Sequence, residues 1–211
     1  MSKEGVFMRA KILFALCALC FATMFSFTAR ADDKSDASAF INNVGKQVLT
    51  IISDKSKAKE EKNAALQKMF VDNVDIDWIG KYVVGRAWKT ATDAQKQKYM
   101  ASYQTFIVDH YTTNFAEFTD ANFEVTRVVP DDNGGNIVTM RIKRPQAEDV
   151  IVDYDVKKSD AGSLKVYDIT VEGVSMITTQ RSDFTSVINQ NSFDYLISQL
   201  EARNQKDKQQ Q

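Results

Sequence analysis

Residues 70–88 of the chain read Phe-Val-Asp-Asn-Val-Asp-Ile-Asp-Trp-Ile-Gly-Lys-Tyr-Val-Val-Gly-Arg-Ala-Trp. The pattern predicts a short helix from about Asp77 to Val84. Gly85 would close it, because glycine readily takes the left-handed conformation that ends many helices. Asp75 precedes the helix where a carboxylate can accept hydrogen bonds from free backbone N–H groups. We interpret Asp75 as this cap and not as a catalytic partner of Asp77, since helical residues two apart point to different sides.

Further helices are predicted on both sides of this segment. Apolar residues three and four apart predict helices over about 36–53 and 57–70. On the other side, Thr92 and Gln95 have the spacing of a capping box and begin a helix that runs to about Phe118. A mainly aromatic stripe follows this helix, made of Tyr99, Tyr103, Phe106, Ile107, His110, Tyr111, Asn114, Phe115 and Phe118.

The sequence period changes from helical to alternating at Ala121. Alternation of apolar and polar residues predicts about four strands between Phe123 and Glu172, with turns at 131–135 and 159–162. Short connections between such strands are typical of an antiparallel meander with one solvated face. Two more helices follow, and residues 204–211 are predicted to be a polar, disordered tail. Helices, then strands, then helices predict an α+β fold.

Residues 1–31 are expected to be a cleaved signal peptide. Arg9 and Lys11 form a short basic region before the uncharged run 12–27, and Ala29-Arg30-Ala31 offers small residues at the positions that signal peptidase reads. We expect cleavage before Asp32. The apolar run is shorter than the ~20 residues that a bilayer-spanning helix needs, so an uncleaved anchor is the weaker alternative. The segment predicts export from the cytoplasm.

Composition narrows the functions open to the exported chain. Translation can start at Met1 or Met8, and both cysteines, Cys17 and Cys20, lie within the signal segment. The mature chain is therefore expected to have no disulfide. The whole chain has 27 basic and 28 acidic residues, and loss of the signal segment makes it more acidic. An interspersed acidic balance argues against binding to nucleic acid and against tight adhesion to anionic lipid surfaces.

Residues suited to catalysis or to metal binding are few. His110 is the chain's one histidine, so we expect no histidine-based metal site, and no cofactor. No P-loop, GxSxG or dinucleotide fingerprint occurs in the sequence. A cavity enzyme that uses Asp109 or His110 as a base is an alternative, although adjacent helical residues do not converge on one point.

The aromatic stripe is compatible with two structures. Its rings can fill a core between helix and sheet, or they can line an apolar cavity with stiff walls. A buried tyrosine needs a partner for its hydroxyl group, whereas one at a cavity rim can face water. Composition does not separate a filled core from a hollow one.

Three blocks of the sequence resemble the MlaC family of periplasmic phospholipid shuttles. They are 74–88, the helix 95–111, and the run 165–175, which is followed by Arg181 and Phe184. The similarity covers almost all of the mature chain in the same order. Gln180, where tyrosine is commoner in the family, is a mild departure.

The resemblance implies an NTF2-like curved antiparallel sheet, wrapped by helices around an apolar cavity, in a lipid-binding domain of residues 32–203. It implies a monomeric periplasmic carrier and not an enzyme. Such a carrier ferries phospholipid between an outer-membrane lipoprotein complex and an inner-membrane ABC transporter with an MCE-domain subunit, and so maintains outer-membrane lipid asymmetry. A related branch is associated with hopanoid biosynthesis, so a hopanoid-associated carrier of the same fold is an alternative.

Under this hypothesis, one cavity wall belongs to the sheet and the opposite wall to the aromatic helix. The methionines of the walls would adapt to acyl chains of different length. Arg86 and Arg181 could approach a phosphate, but surface or structural salt bridges are the more expected roles. The predicted lipid-binding residues are Tyr82, Val83, Tyr103, Phe106, Ile107, Tyr111, Val138, Met140, Ile142, Val152, Tyr154 and Met176.

Overall fold

A computed structural model of the chain describes residues 28–112, 120–145 and 147–210. The chain divides into two compact units, residues 1–36 and residues 37–211. The described part of the first unit, residues 28–36, is helical, and the sheet and the helices after residue 58 belong to the second. The expected signal peptide, apart from residues 28–31, lies outside the described residues. So do Asn114, Phe115 and Phe118 of the aromatic stripe.

Seven helices and five strands occur among the described residues. In chain order they are α1 (Thr28–Ser53), α2 (Lys59–Asn73), α3 (Ile76–Val84), α4 (Arg86–Thr90), α5 (Asp93–Thr112), β1 (Asn122–Pro130), β2 (Asn136–Lys143), β3 (Val150–Lys158), β4 (Leu164–Val171), β5 (Val174–Ser175), α6 (Met176–Gln190) and α7 (Phe193–Gln210). The predicted α+β class is confirmed.

The strands form one sheet in the order β1-β2-β3-β4-β5, and each neighbouring pair is antiparallel. The predicted meander is therefore confirmed, with one short strand added. The sequence does not predict β5, because two residues are too few for an alternating pattern. A tight turn at Glu172 (φ +48°) and Gly173 (φ +81°) leads from β4 into it.

The segment 70–88 covers an edge of this sheet. Val74 forms a parallel bridge with Val166, and the N–H of Asp75 donates to the Val166 carbonyl at 3.0 Å. The Asp75 carboxylate then caps α3 by accepting from the N–H of Trp78 at 3.0 Å, as predicted. Gly85 ends the helix with φ of +54°. Positive φ is costly for a residue with a Cβ, which explains the glycine.

The predicted capping box at the start of α5 is also confirmed. The N–H of Gln95 donates to Thr92 Oγ1 at 3.2 Å, and the N–H of Thr92 donates to Gln95 Oε1 at 2.9 Å. Two free donors at the helix start are thus satisfied reciprocally. The described part of α5 ends at Thr112, so its predicted extension to Phe118 falls on residues that are not described.

The carboxyl-terminal helix differs from the prediction. The sequence predicts a polar tail from Asn204, but α7 continues to Gln210. Asn204 is buried, and its Nδ2 donates to the carbonyl of Ser102 on α5 at 2.9 Å. Tertiary packing of α7 against α5 therefore carries the helix into a sequence whose composition is typical of a frayed end.

Two tyrosines of the aromatic stripe belong to a filled core. Tyr99 and Tyr103 are fully buried. The Tyr99 hydroxyl donates to the carbonyl of Gly80 at 2.9 Å, and the Tyr103 hydroxyl donates to Gln180 Oε1 at 2.6 Å. Burial raises the pKa of both phenols. Both buried hydroxyls have strong acceptors, so the unusual Gln180 serves as the partner of Tyr103.

A largely buried ion cluster holds the β1–β2 turn against β3. Lys157 Nζ lies 3.2 Å from Asp131 Oδ2 and 2.9 Å from Asp155 Oδ2, and less than a fifth of each of the three side chains is exposed. Asp155 Oδ1 is buried and receives no hydrogen bond from the described residues. Burial raises the pKa of Asp155, although its hydrogen bond with Lys157 acts in the opposite direction. The positive charge of Lys157 therefore compensates the negative charges of two neighbouring carboxylates.

Replacing Lys157 with methionine should lower the free energy of unfolding at pH 7 by about 2–3 kcal/mol, because it leaves two carboxylates facing each other with little access to water. Urea unfolding measures the difference. The matched control is Lys143→Met, because Lys143 and its partner Glu124 are both about half exposed; there we expect less than about 0.5 kcal/mol. Equal effects in both variants would contradict the interpretation. The loss of stability caused by Lys157→Met should become smaller at low pH, because protonation of Asp155 removes one of the two facing charges.

Candidate functional site: an apolar cavity beneath the first helix

An apolar cavity of about 440 Å³ lies between α1 and the sheet. Volumes of this order are typical of ligand sites. The lining residues from α1 to α5 are Ile41, Val44, Gly45, Val48, Leu49, Met69, Phe70, Asn73, Val74, His110 and Tyr111. The remaining lining residues are Ala121, Asn122, Phe123, Met140, Ile142, Val152, Tyr154, Val166, Ile169, Val171 and Met176.

Helix α1 spans this cavity and is packed at both of its sides. Ala37 and Ile41 belong to the main core, while Ile52 packs with Leu66 and Met69 of α2 in a second cluster. The α1 residues between these two contacts line the cavity. Helix α1 therefore covers the cavity and is held in place by packing on either side of it.

Gly45 lets α1 approach the start of the sheet. A Cβ at this position would lie 2.7 Å from Cζ of Phe123, which is shorter than a normal van der Waals contact. Phe123 itself lines the cavity. A side chain at residue 45 would therefore displace the Phe123 ring.

The polarity of the lining changes towards solvent. His110 and Asn122 are the lining residues that are exposed, and both are polar. The buried lining residues, such as Met140 and Val152, are apolar. This arrangement places the cavity opening beside the end of α5 and the start of β1.

A second void of about 20 Å³ adjoins the cavity. The two share Phe70, Tyr111 and Met176 as lining residues, and the smaller one extends to Ile107 and Gln180. Met176 suits such a place, because methionine has a flexible side chain that adapts to irregular gaps.

The structure brings six of the predicted lipid-binding residues onto the cavity wall. These are Tyr111, Met140, Ile142, Val152, Tyr154 and Met176. Met140 pairs with Val152 across β2 and β3, so the alternation of strand residues placed them correctly on one face. Ile107 lies on the wall of the smaller void.

The five other predicted residues do not line the cavity, and we remove them from the candidate site. Val83, Tyr103 and Val138 are completely buried in the main core. Val138 shares a sheet face with Met140, but the hollow extends under only part of that face. Phe106 packs on Tyr103 and Phe184, and Tyr82 stacks on Trp78.

The wall contributed by α1 and α2 is absent from the predicted site. Val44, Val48 and Met69 line the cavity, whereas the sequence pattern placed the opposite wall on the aromatic helix α5. The signal was present in the apolar positions of α1, which recur at three- and four-residue spacing. That spacing identifies an inward face but does not show whether the face meets packed atoms or empty space.

Arg181 has a structural role. Its Nη1 donates to the carbonyl of Tyr82 at 2.7 Å, and its guanidinium lies 4.5 Å from the centre of the Tyr82 ring. The same carbonyl, in the last turn of α3, also accepts from the N–H of Gly85 at 3.2 Å, so Arg181 supplies a second donor there. Arg181 thus fastens the end of α3 to α6 through a backbone carbonyl and an aromatic ring, whereas the sequence predicted a salt bridge.

Asp109 and His110 have different surroundings. Asp109 Oδ1 accepts from Gln67 Nε2 on α2 at 2.9 Å. The His110 ring stacks on Phe106 with 5.6 Å between ring centres. Partial burial, assisted by the positive charge of Arg203, lowers the pKa of His110. Its imidazole is therefore mainly neutral at pH 7 and adds no full charge to the polar rim.

Residues 28–112, 120–145 and 147–210 contain no cluster of three or more His, Cys, Asp or Glu side chains placed to hold a metal ion. None of the helices within these ranges combines the length and the apolar character needed to cross a bilayer.

Comparisons with known proteins agree on one family. A family model described as "MlaC protein" matches residues 42–202. The intermembrane phospholipid transport system binding protein MlaC of Haemophilus influenzae is 21% identical over 157 residues, which cover 72% of this chain and 73% of that protein. The solved structure of a phospholipid-binding protein from Ralstonia solanacearum, in complex with a phospholipid, superposes with a TM-score of 0.70 at 22% identity. The superposition covers 81% of this chain and 98% of the Ralstonia solanacearum chain.

Proposed function

The chain belongs to the MlaC family, and from this premise we propose that it carries phospholipid with the acyl chains inside the cavity beneath α1. The observation that carries the proposal is the cavity itself, which is large, apolar and open at a polar rim. A filled core would leave no room for an acyl chain.

The apolar wall meets the energetic requirement for carrying a lipid through water. Exposing acyl chains costs ~0.8 kcal/mol per methylene, so two chains with roughly 30 methylenes would cost on the order of 20 kcal/mol. A carrier must offset most of this cost without binding so tightly that release stalls. The side chains that face the hollow are predominantly aliphatic or aromatic, and they offer dispersion contacts without fixed polar anchors.

We assign the chain to the periplasm, as a shuttle in an ABC lipid transport system. The Haemophilus influenzae relative is, by its name, the binding protein of an intermembrane phospholipid transport system. The expected signal peptide supports export. The shuttle would exchange lipid with an outer-membrane lipoprotein complex and with an inner-membrane MCE-domain transporter, and so maintain outer-membrane lipid asymmetry. No chemical step is needed for this role, so we do not propose an enzyme.

The headgroup is proposed to stay at the opening. His110 and Asn122 there are polar and solvent-exposed, whereas the inner wall offers little compensation for a charged phosphate. A buried phosphate without partners would be strongly unfavourable. The headgroup would then be available to partner complexes while the acyl chains remain covered.

Native mass spectrometry of the mature protein, residues 32–211, tests this function. The protein is purified from bacteria without detergent, and the bound molecules are then identified after organic extraction. We expect one phospholipid per protein molecule. A hopanoid would assign the chain to the sister branch, and a folded protein without lipid would contradict the carrier function.

A further inference from the structure

Two phenol groups stand out on the otherwise apolar cavity wall. Tyr111 lies near the end of α5, and Tyr154 lies on β3. The hydroxyl of Tyr154 forms its one hydrogen bond within the described residues with Met140 Sδ, at 3.9 Å. For the hydroxyl of Tyr111, the described part of the chain provides no hydrogen-bond partner. Neither hydroxyl therefore has a strong acceptor among the residues that the structure describes.

The core tyrosines show what this chain does with buried phenols elsewhere. Tyr99 donates to a carbonyl oxygen at 2.9 Å and Tyr103 to an amide oxygen at 2.6 Å. A thioether sulfur, by contrast, is a weak acceptor. A phenylalanine at residue 154 would provide the same apolar wall without the cost of an unsatisfied hydroxyl. The two cavity hydroxyls therefore call for an acceptor that the described residues do not supply.

Both phenols are hydrogen-bond donors at physiological pH. Burial raises the pKa of Tyr154 to about 12. Burial, assisted by the negative charge of Asp168, also raises the pKa of Tyr111. Neither group becomes a phenolate near neutral pH, so each can donate its proton to a neutral oxygen without introducing a charge into the cavity.

The chemistry of the missing acceptor follows from the cavity. A charged phosphate is poorly suited to an apolar interior, and a hydrocarbon chain has no acceptor atom. An ester carbonyl combines an accepting oxygen with two apolar substituents. A diacyl lipid has two such carbonyls, at the junction between its headgroup and its acyl chains. The ring centre of Tyr111 lies 5.1 Å from that of His110 at the rim, which places one phenol beside the opening where that junction would lie.

We infer that Tyr111 and Tyr154 donate hydrogen bonds to the ester carbonyls of a bound lipid, so that the cavity selects ester-linked lipids over lipids of similar size that lack these carbonyls. This inference rests on the proposed carrier function and refines it. The phenols act as specificity-determining residues, while the aliphatic wall supplies most of the affinity.

A competition between two lipids that differ only in linkage tests the inference. Equal amounts of dipalmitoyl phosphatidylglycerol and its di-O-hexadecyl ether analogue are offered to the intact mature protein in mixed vesicles, and the loaded protein is analysed by native mass spectrometry. The headgroup and the number of chain carbons are the same. We expect the ester lipid to be loaded about three- to tenfold in excess, as for one or two neutral hydrogen bonds.

The variants identify the groups responsible. In Tyr111→Phe/Tyr154→Phe the ester preference should fall to about one, because only the ester lipid loses hydrogen bonds in this variant. Tyr195→Phe is the matched control, because Tyr195 is 44% exposed on α7; it should keep the full preference. The two single variants, each with part of the preference lost, provide the test if the double variant does not fold.

The outcomes separate the inference from the function on which it rests. Equal loading of both lipids by the original chain would overturn the role of the phenols and leave the carrier function intact. An ester preference that survives in the folded double variant would also overturn it. Failure of the original chain to load either lipid would contradict the carrier function itself.

Discussion

Val152→Glu should reduce phospholipid retention by at least about 100-fold while the protein stays folded. Val152 is 5% exposed and faces the cavity from the central part of the sheet. In the empty cavity the carboxylate can be hydrated. With acyl chains present it must lose this water, and burial of a carboxyl group can raise its pKa by about 3 units. Such a shift corresponds to about 4 kcal/mol.

Lipid retention is measured by native mass spectrometry after purification without detergent, and circular dichroism reports folding. Val174→Glu is the matched control, since Val174 is 53% exposed on β5 and should keep its lipid. Val48→Trp is a second cavity variant that fills space without adding charge. Two folded cavity variants with a full complement of lipid would show that the acyl chains lie elsewhere.

Tyr103→Leu should lower the free energy of unfolding by about 3 kcal/mol. The substitution removes a completely buried ring and its hydrogen bond to Gln180, and it leaves a void in the packed core. The folded fraction should still contain one lipid, because Tyr103 is not part of the cavity wall. Urea unfolding and native mass spectrometry measure the two effects separately.

Tyr154→Leu is the matched variant on the cavity wall. The lost ring borders existing empty space, so less packing is lost and the decrease in stability should be less than half that of Tyr103→Leu. If the order were reversed, the assignment of Tyr103 to the core and Tyr154 to the cavity would be wrong. Loss of lipid from folded Tyr103→Leu would also contradict the assignment.

Local chemistry made much of the fold predictable. The cap at Asp75 and the capping box at Thr92 depend on short-range hydrogen bonds, so the residue type and spacing were sufficient to predict them. The alternating strands likewise placed Met140, Val152 and Tyr154 on one face. These features need only residues that lie near one another in sequence or in strand register.

The position of the hollow could not be obtained in the same way. Phe106 and Tyr103 have the aromatic character expected of a cavity wall, yet they pack on Phe184 in a filled region. Val44 and Val48, which do face the hollow, look like ordinary core residues in the sequence. Whether an apolar face meets atoms or space depends on how far α1 is held from the sheet, which is a tertiary property.

The end of α7 illustrates a similar limit. The composition after Asn204 is polar and predicts fraying, but the buried contact between Asn204 and Ser102 extends the helix. One long-range hydrogen bond and its surrounding packing outweigh local propensity here. The available signal for a longer helix was Asn204 itself, a polar residue at a helical position that faces inward.

Photolabelling most directly tests whether the acyl chains occupy the cavity beneath α1. A phospholipid with a diazirine near the end of one acyl chain is loaded into the intact mature protein, irradiated, and mapped by peptide mass spectrometry. We expect labels on α1 and the sheet, at residues such as Val48, Val152 and Val171. Labels confined to the exposed apolar residues Trp78, Val174 and Tyr195 would contradict the account.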